Sequence, residues 1–175
     1  SFTVGLLHAI YAMKGVMPTK LQLANQAIHI ERDVLKENVG SQDQVLASFG
    51  GFNKITFSGK DKINIILITL NPQKVKQLQK HLLLFHTGLC RTASTVAKKQ
   101  IENTPKKQKE LTTLSQMVDE AINILTSRKD LTDFGKLLHE SWLLKRSLSK
   151  AISNSYIDEI YDSARKAGAV GGKLL

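Results

Sequence analysis

Apolar residues recur along this chain at two spacings, and the change between them organises it. The run Phe2-Thr3-Val4-Gly5-Leu6-Leu7 enters a helical pattern at once, which predicts a buried helix over 2–14 ended by Gly15 and Pro18. A second helix is expected over 20–37, with Leu21, Ala24, Ala27, Ile28, Ile30, Val34 and Leu35 as its apolar positions. Asn38-Val39-Gly40-Ser41 reads as a loop, because Asn and Gly accept the backbone that stops a helix. A short helix follows over 42–49, and Gly50-Gly51 breaks it. The period then falls to two. Residues 53–58 alternate, with Ile55 and Phe57 on one face; Ser58-Gly59-Lys60-Asp61 is a turn; residues 63–70 are apolar enough for a buried strand.

Asn71-Pro72 ends that strand, and the polar stretch 73–80 reads as a connector between domains. His81-Leu82-Leu83-Leu84-Phe85-His86 predicts a short buried strand, and Thr87-Gly88 leads into a helix over about 91–102. A long helix is expected from Pro105 to residue 127. Another covers 131–149, with Phe134, Leu137, Leu138, Ser141, Trp142, Lys145 and Leu148 at three- and four-residue spacing. Asn154 opens a last helix over 156–166, closed by Gly168. No internal repeat is visible. The fold class is α+β, in two parts that divide near residue 75.

Composition narrows the function. Of 175 residues, 42% are apolar, which supports a core and excludes wholesale disorder. No apolar run reaches the ~18 residues of a membrane span, so no membrane partner is expected. A single cysteine, Cys90, excludes an internal disulfide framework and a thiolate zinc cluster, and fits the reducing cytoplasm. A net charge of +10 points to an anionic partner: nucleic acid, phosphorylated metabolite or nucleotide. The densest cluster, Lys98, Lys99, Lys106, Lys107 and Lys109, has no interleaved aromatics, so it reads as a solvated turn and nucleic acid is not expected. The chain starts without Met or signal peptide, and both ends cut through apparent structure, so a fragment of a longer protein is expected.

Three features could carry chemistry. Asp43 sits where the small-residue loop meets a helix; it is a helix cap or a general base. Glu31 shares a helix face with Ala27 and Leu35, and is either paired with Arg32 or Lys36 or free to hold Mg²⁺. Ser1 opens a helix whose unpaired N–H groups would cap it or receive a phosphate.

The series Ser1-Phe2-Thr3-Val4-Gly5-Leu6-Leu7, Glu31-Arg32, Gly40-Ser41-Gln42-Asp43-Gln44 with Phe49-Gly50-Gly51-Phe52, Thr87-Gly88 with Arg91-Thr92-Ala93, His139-Glu140-Ser141-Trp142-Leu143-Leu144-Lys145, and Gly171-Gly172-Lys173-Leu174-Leu175 resembles the GHMP small-molecule kinases. The resemblance implies two domains, 1–75 from the ribosomal-protein-S5-like half and 76–175 from the ferredoxin-like half, each incomplete. It implies ATP and Mg²⁺ as cofactors, with Ser1 and Phe2 at the nucleotide phosphates and Glu31 and Ser1 at the metal. Asp43 would take the proton of a sugar hydroxyl. Gly40, Ser41, Gln42, Arg91, Lys145 and Lys173 would line the substrate. Arg146 is a further cationic candidate; Trp142, His86 and His139 read as packing or hydrogen-bonding residues.

The absence of a Gly-x-x-x-x-Gly-Lys-Ser/Thr segment agrees with a phosphate loop of another kind. Within the family, Gln42-Asp43-Gln44 and His-Glu-Ser-Trp-x-x-Lys are similar to the branch that phosphorylates the anomeric hydroxyl of a heptose 7-phosphate, which implies a role in making bacterial surface polysaccharide. A kinase for another sugar, such as fucose, and a non-catalytic basic module that binds nucleic acid are the alternatives.

Overall fold

The computed structural model describes residues 2–59, 62–88 and 104–174. They form two compact units, divided between Ile68 and Thr69. The expected helix over 91–102 lies outside the described residues. Helices and one small antiparallel sheet make an α+β structure.

The first unit opens with α1 (Phe2–Met13) and α2 (Lys20–His29). Thr19 starts α2 with a reciprocal cap: its hydroxyl accepts from Gln22 N at 3.2 Å, and Gln22 Oε1 accepts from Thr19 N at 2.9 Å. A loop then leads to α3 (Gln42–Phe49). β1 (Asn53–Ser58) and β2 (Lys62–Leu67) form a hairpin in which Ile55 faces Ile65 and Phe57 faces Ile63. The core has two patches. Val4, Leu23 and Ala27 hold α1 on α2, with Leu7 against them. Ala24, Ile28 and Val45 hold α2 on α3, with Phe49, Ile55, Ile63 and Ile65 packed alongside.

Two predictions of burial fail here. In α1 only Val4 is buried, while Phe2 and Met13 are 84% and 87% exposed. Periodicity identifies an apolar face but not what covers it, and α1 turns the face of Val4 and Leu7 inward. The strand expected over 63–70 runs from Lys62 to Leu67, and Ile66 and Leu67 are largely exposed. A two-stranded hairpin offers packing on one face only.

The second unit starts with α4 (Pro72–His81), where a connector was expected. Asn71 caps it, accepting from Gln73 N at 2.8 Å, and Pro72 occupies the first turn, where its missing N–H costs nothing. The Lys- and Gln-rich sequence that looked like a linker is a set of good helix formers. The buried strand expected over 81–86 is not formed: Leu82, Leu83, Leu84 and Phe85 carry no regular structure and are exposed. A 3-10 turn (Thr104–Lys106) precedes α5 (Gln108–Thr126), which packs on α6 (Leu131–Leu148). Asp130 caps α6 and Asn154 caps α7 (Ser155–Lys166). Ile124, Leu125, Leu137, Trp142, Leu148, Ile152 and Ile157 are buried. Gly168, at φ 102, ends α7 as its position predicts.

Candidate functional site

In the first unit the end of α2 departs from the expected regular helix. Residues Ile30–Val34 form a π-turn, closed by Leu35 N donating to Ile30 O at 2.9 Å. Lys36 follows in the left-handed region at φ 57, and Glu37 N donates to Glu31 O at 3.0 Å. Such wide turns inside helices are costly, and they concentrate at functional sites. This one fixes the backbone of Glu31 from its own carbonyl.

The side chain of Glu31 is fixed from α3. The spacing Ser41, Gln44, Val45, Ser48, Phe49 is the inward face of that helix, and it carries Gln44 to 2% exposure. Gln44 Nε2 donates to Glu31 Oε2. Gln44 Oε1, equally buried, has no hydrogen-bond partner. Asp43, one residue earlier, is exposed in the first turn of α3, where the helix N–H groups favour a carboxylate. Ser41 Oγ accepts from Arg32 Nη1 at 3.2 Å, which ties the predicted loop back to the π-turn. Gly40 and Gln42 are exposed beside it.

Glu31, Ser41, Gln42 and Asp43 are therefore brought to one junction. Phe2 is the first residue of α1 and is exposed. Ser1 and Arg91 lie outside the described residues. From the sequence, Gln44 is read only as part of the Gln42-Asp43-Gln44 motif, with no role of its own. Its signal was present, since it stands on the apolar face of α3 one residue before the fully buried Val45.

The second unit gathers another set. The segment 169–174 runs along α6. A Cβ on Gly171 would stand 1.9 Å from Gly135 O and 2.9 Å from His139 N, so only glycine allows this approach. Gly172 lies against Tyr161, whose hydroxyl is 2.6 Å from His139 Nδ1. Burial raises the Tyr161 hydroxyl above its ordinary value. Trp142 is 1% exposed, so it is core, as expected; its Nε1 has no partner.

Lys145, half-buried one helical turn beyond Trp142, is held below the ordinary lysine range, first by burial and then by the charge of Lys173. Neither lysine has an ion-pair or hydrogen-bond partner among the described residues. Arg146 is different: its Nη2 is 2.8 Å from Asp158 Oδ2, and Ser153 Oγ donates to the other oxygen at 2.6 Å. Its charge is therefore committed within the fold. A cleft of about 370 Å³ lies on the same unit, lined by Lys136, His139, Glu140, Arg165 and residues 168–170, and holds none of the predicted substrate residues. Among the described residues there is no cluster of three His, Cys, Asp or Glu side chains placed for a metal, and no helix long and apolar enough to cross a membrane.

No family model matches the chain. It is 27% identical over 179 residues to the D-glycero-alpha-D-manno-heptose 7-phosphate kinase of Campylobacter jejuni subsp. jejuni serotype O:2; the match takes in 99% of this chain and 51% of that protein. The chain thus spans about half the length of the curated relative. Its fold is similar to the crystal structure of a D-glycero-D-manno-heptose 1-phosphate kinase from Bacteriodes thetaiotaomicron, with a TM-score of 0.65 and 24% identity over 98% of this chain and 46% of that one. In sequence and in fold, then, the chain is similar to heptose phosphate kinases.

Proposed function

We propose that this chain carries part of the working cleft of an ATP-dependent sugar-phosphate kinase. The reaction would transfer the γ-phosphate to the anomeric hydroxyl of D-glycero-D-manno-heptose 7-phosphate, giving the 1,7-bisphosphate. The observation that carries this reading is the junction of the π-turn with α3. It sets a carboxylate held by a buried amide, Glu31, beside the helix turn that presents an exposed carboxylate, Asp43. The curated relative supplies the substrate class.

The donor set fits Mg²⁺. Glu31 has one carboxylate oxygen not bonded to Gln44, and Gln44 Oε1 is a buried acceptor without a donor. Both are hard oxygens of the kind this ion takes. Glu31 would hold the ion, with Ser1 completing the metal side; bound there, Mg²⁺ would offset charge on the phosphates. Asp43 would accept the proton of the sugar hydroxyl as that oxygen attacks phosphorus and ADP leaves. The N-terminal turn of α1, with Ser1 and Phe2, would offer N–H groups to the nucleotide phosphates. Gly40, Ser41 and Gln42 would meet the sugar. Lys145, Lys173 and Arg91 would take its phosphate, and for the first two the support is that the fold sets two cations together without a carboxylate. In this reading the two units are portions of the S5-like and ferredoxin-like domains.

The test is a coupled ADP-release assay on the complete protein that contains this chain, with Mg·ATP and a panel of sugar 7-, 6- and 1-phosphates and free sugars. The panel matters because the two relatives are named for different phosphates. Turnover confined to the heptose 7-phosphate is the expected result. Turnover with another sugar would keep the kinase and discard the substrate. No turnover with any sugar would overturn the reading.

A further inference from the structure

We propose that Gln44 is a structural half of the cation site, a positioning residue for Glu31 and a second oxygen donor to the same divalent ion. The inference rests on the reading of Glu31 as a metal ligand. It goes further in giving Gln44, the buried amide that holds Glu31, a role in binding the ion itself.

One end of the Gln44 amide is unmatched. A primary amide buried to 2% exposure should satisfy both ends, because an unpaired buried acceptor costs about 1–3 kcal/mol. In Gln44 only the Nε2 end is satisfied, by Glu31 Oε2. Gln44 stands in the first turn of α3 beside the fully buried Val45, and its backbone carbonyl accepts from Ser48 Oγ at 2.8 Å. A methionine or leucine would fill the space on this apolar face without the penalty, so packing alone does not account for a glutamine. Turning the amide over would aim its oxygen at a carboxylate. The remaining arrangement points Nε2 at Glu31 and leaves Oε1, covalently beside it, short of a positive partner. A cation bound to the second oxygen of Glu31 meets that need. A hydrogen bond of this kind also fixes the orientation of the ligating carboxylate.

The experiment uses Mn²⁺ as the probe on the chain with ¹⁵N-labelled glutamine side chains. In the wild type, Mn²⁺ should broaden the Gln44 side-chain amide resonances at lower concentration than those of the other glutamines, and Mg²⁺ should reverse the effect. Free Mn²⁺ measured by electron paramagnetic resonance should show affinity falling about 10-fold or more in Gln44→Met. Gln44→Glu, which restores oxygen but not the N–H donor, should bind differently from both. Thermal unfolding tracks the fold of each variant. Unchanged Mn²⁺ affinity in a folded Gln44→Met, or broadening that spares Gln44, would overturn the proposal. Should Gln44→Met fail to fold, the wild-type broadening decides alone. The two readings fail separately. An active kinase with Gln44-independent Mn²⁺ binding loses this inference and keeps the function. A Gln44-dependent ion site in a protein that phosphorylates no sugar does the reverse.

Discussion

The two compact units carry opposite imbalances. In the first, Glu31, Gln44 and Asp43 bring oxygen acceptors together, and the buried one among them lacks a donor. In the second, Lys145 and Lys173 bring donors together, with no acceptor among the described residues. Other charged groups among the described residues are paired within the fold: Arg146 with Asp158, Lys107 with Glu110 at 2.7 Å, His29 with Asp33 at 2.8 Å. Unmatched groups cost stability, and folds retain them where a ligand completes the pairing. In the function proposed above, the first unit would receive a cation and the second an anion.

The largest expected effect tests the first unit. Asp43→Ala should lower turnover of the complete protein by about 10²–10⁴-fold, the usual size of a general-base contribution. Nucleotide affinity and the unfolding temperature should stay near wild type, because Asp43 is exposed and the core beneath α3 is built from Val45 and Phe49. Near-normal turnover would leave Asp43 a helix-terminus carboxylate and nothing more.

Next comes the second unit. Lys145→Met should raise the KM for the sugar phosphate by about 10-fold or more, since a charge-assisted hydrogen bond is worth roughly 1.5–3 kcal/mol. It should also stabilise the unliganded chain, by about 0.5–1 kcal/mol. The sign follows from the lowered lysine. The folded state binds its proton less readily than the unfolded state does, so the penalty is fully present below the depressed value. Stability then rises with pH from there to the ordinary lysine value. Lys145→Met should flatten that rise, and phosphate added to the wild type should lift the unfolding temperature but not that of the variant. A variant both less stable and unchanged in KM would make Lys145 a packing residue.

Gly171→Ala is smaller and more local. Its methyl group would collide with Gly135 O, so the segment must leave α6. A loss of about 1–3 kcal/mol is expected, as for other overpacked sites. Because the same segment carries Lys173, the change should weaken substrate binding as well. Gly168→Ala serves as a control, since its open surroundings leave only the strain of its positive φ. Equal KM values for the two variants would detach the segment from the anion site.

These two regions were not equally legible. α3, its Gly50-Gly51 stop and β1 follow from local chemistry, and the structure gives the bounds that spacing predicts. Asp43 and Glu31 stood out because carboxylates at a loop and on an apolar face are conspicuous. Gln44 did not, since a neutral amide looks the same on a buried face as on a wet one until the helix is turned. The π-turn was hidden for a similar reason: five residues are too few to tell its wider period from the ordinary one. The pairing of Lys145 with Lys173 joins positions 28 residues apart, which no periodicity reports. Burial was the poorest reading. Leu82 to Phe85 looked like core on composition, yet side-chain burial depends on what packs against a segment, and that information is not local.

The smallest effect concerns the backbone under Glu31. Lys36 holds a left-handed conformation that costs an ordinary residue about 1 kcal/mol and glycine almost nothing. Lys36→Gly should therefore stabilise the first unit by up to about 1 kcal/mol, less the entropy that glycine adds to the unfolded chain. If the left-handed turn exists only to end α2, this gain should come without change in Mn²⁺ binding. If it is what holds the Glu31 carbonyl and, through it, the carboxylate facing Gln44, loosening the turn should weaken the ion while the protein becomes no less stable. Calorimetry and Mn²⁺ titration on the same variant separate the two. A gain in stability joined to a loss of metal affinity would show that the strain at Lys36 serves the site rather than the helix.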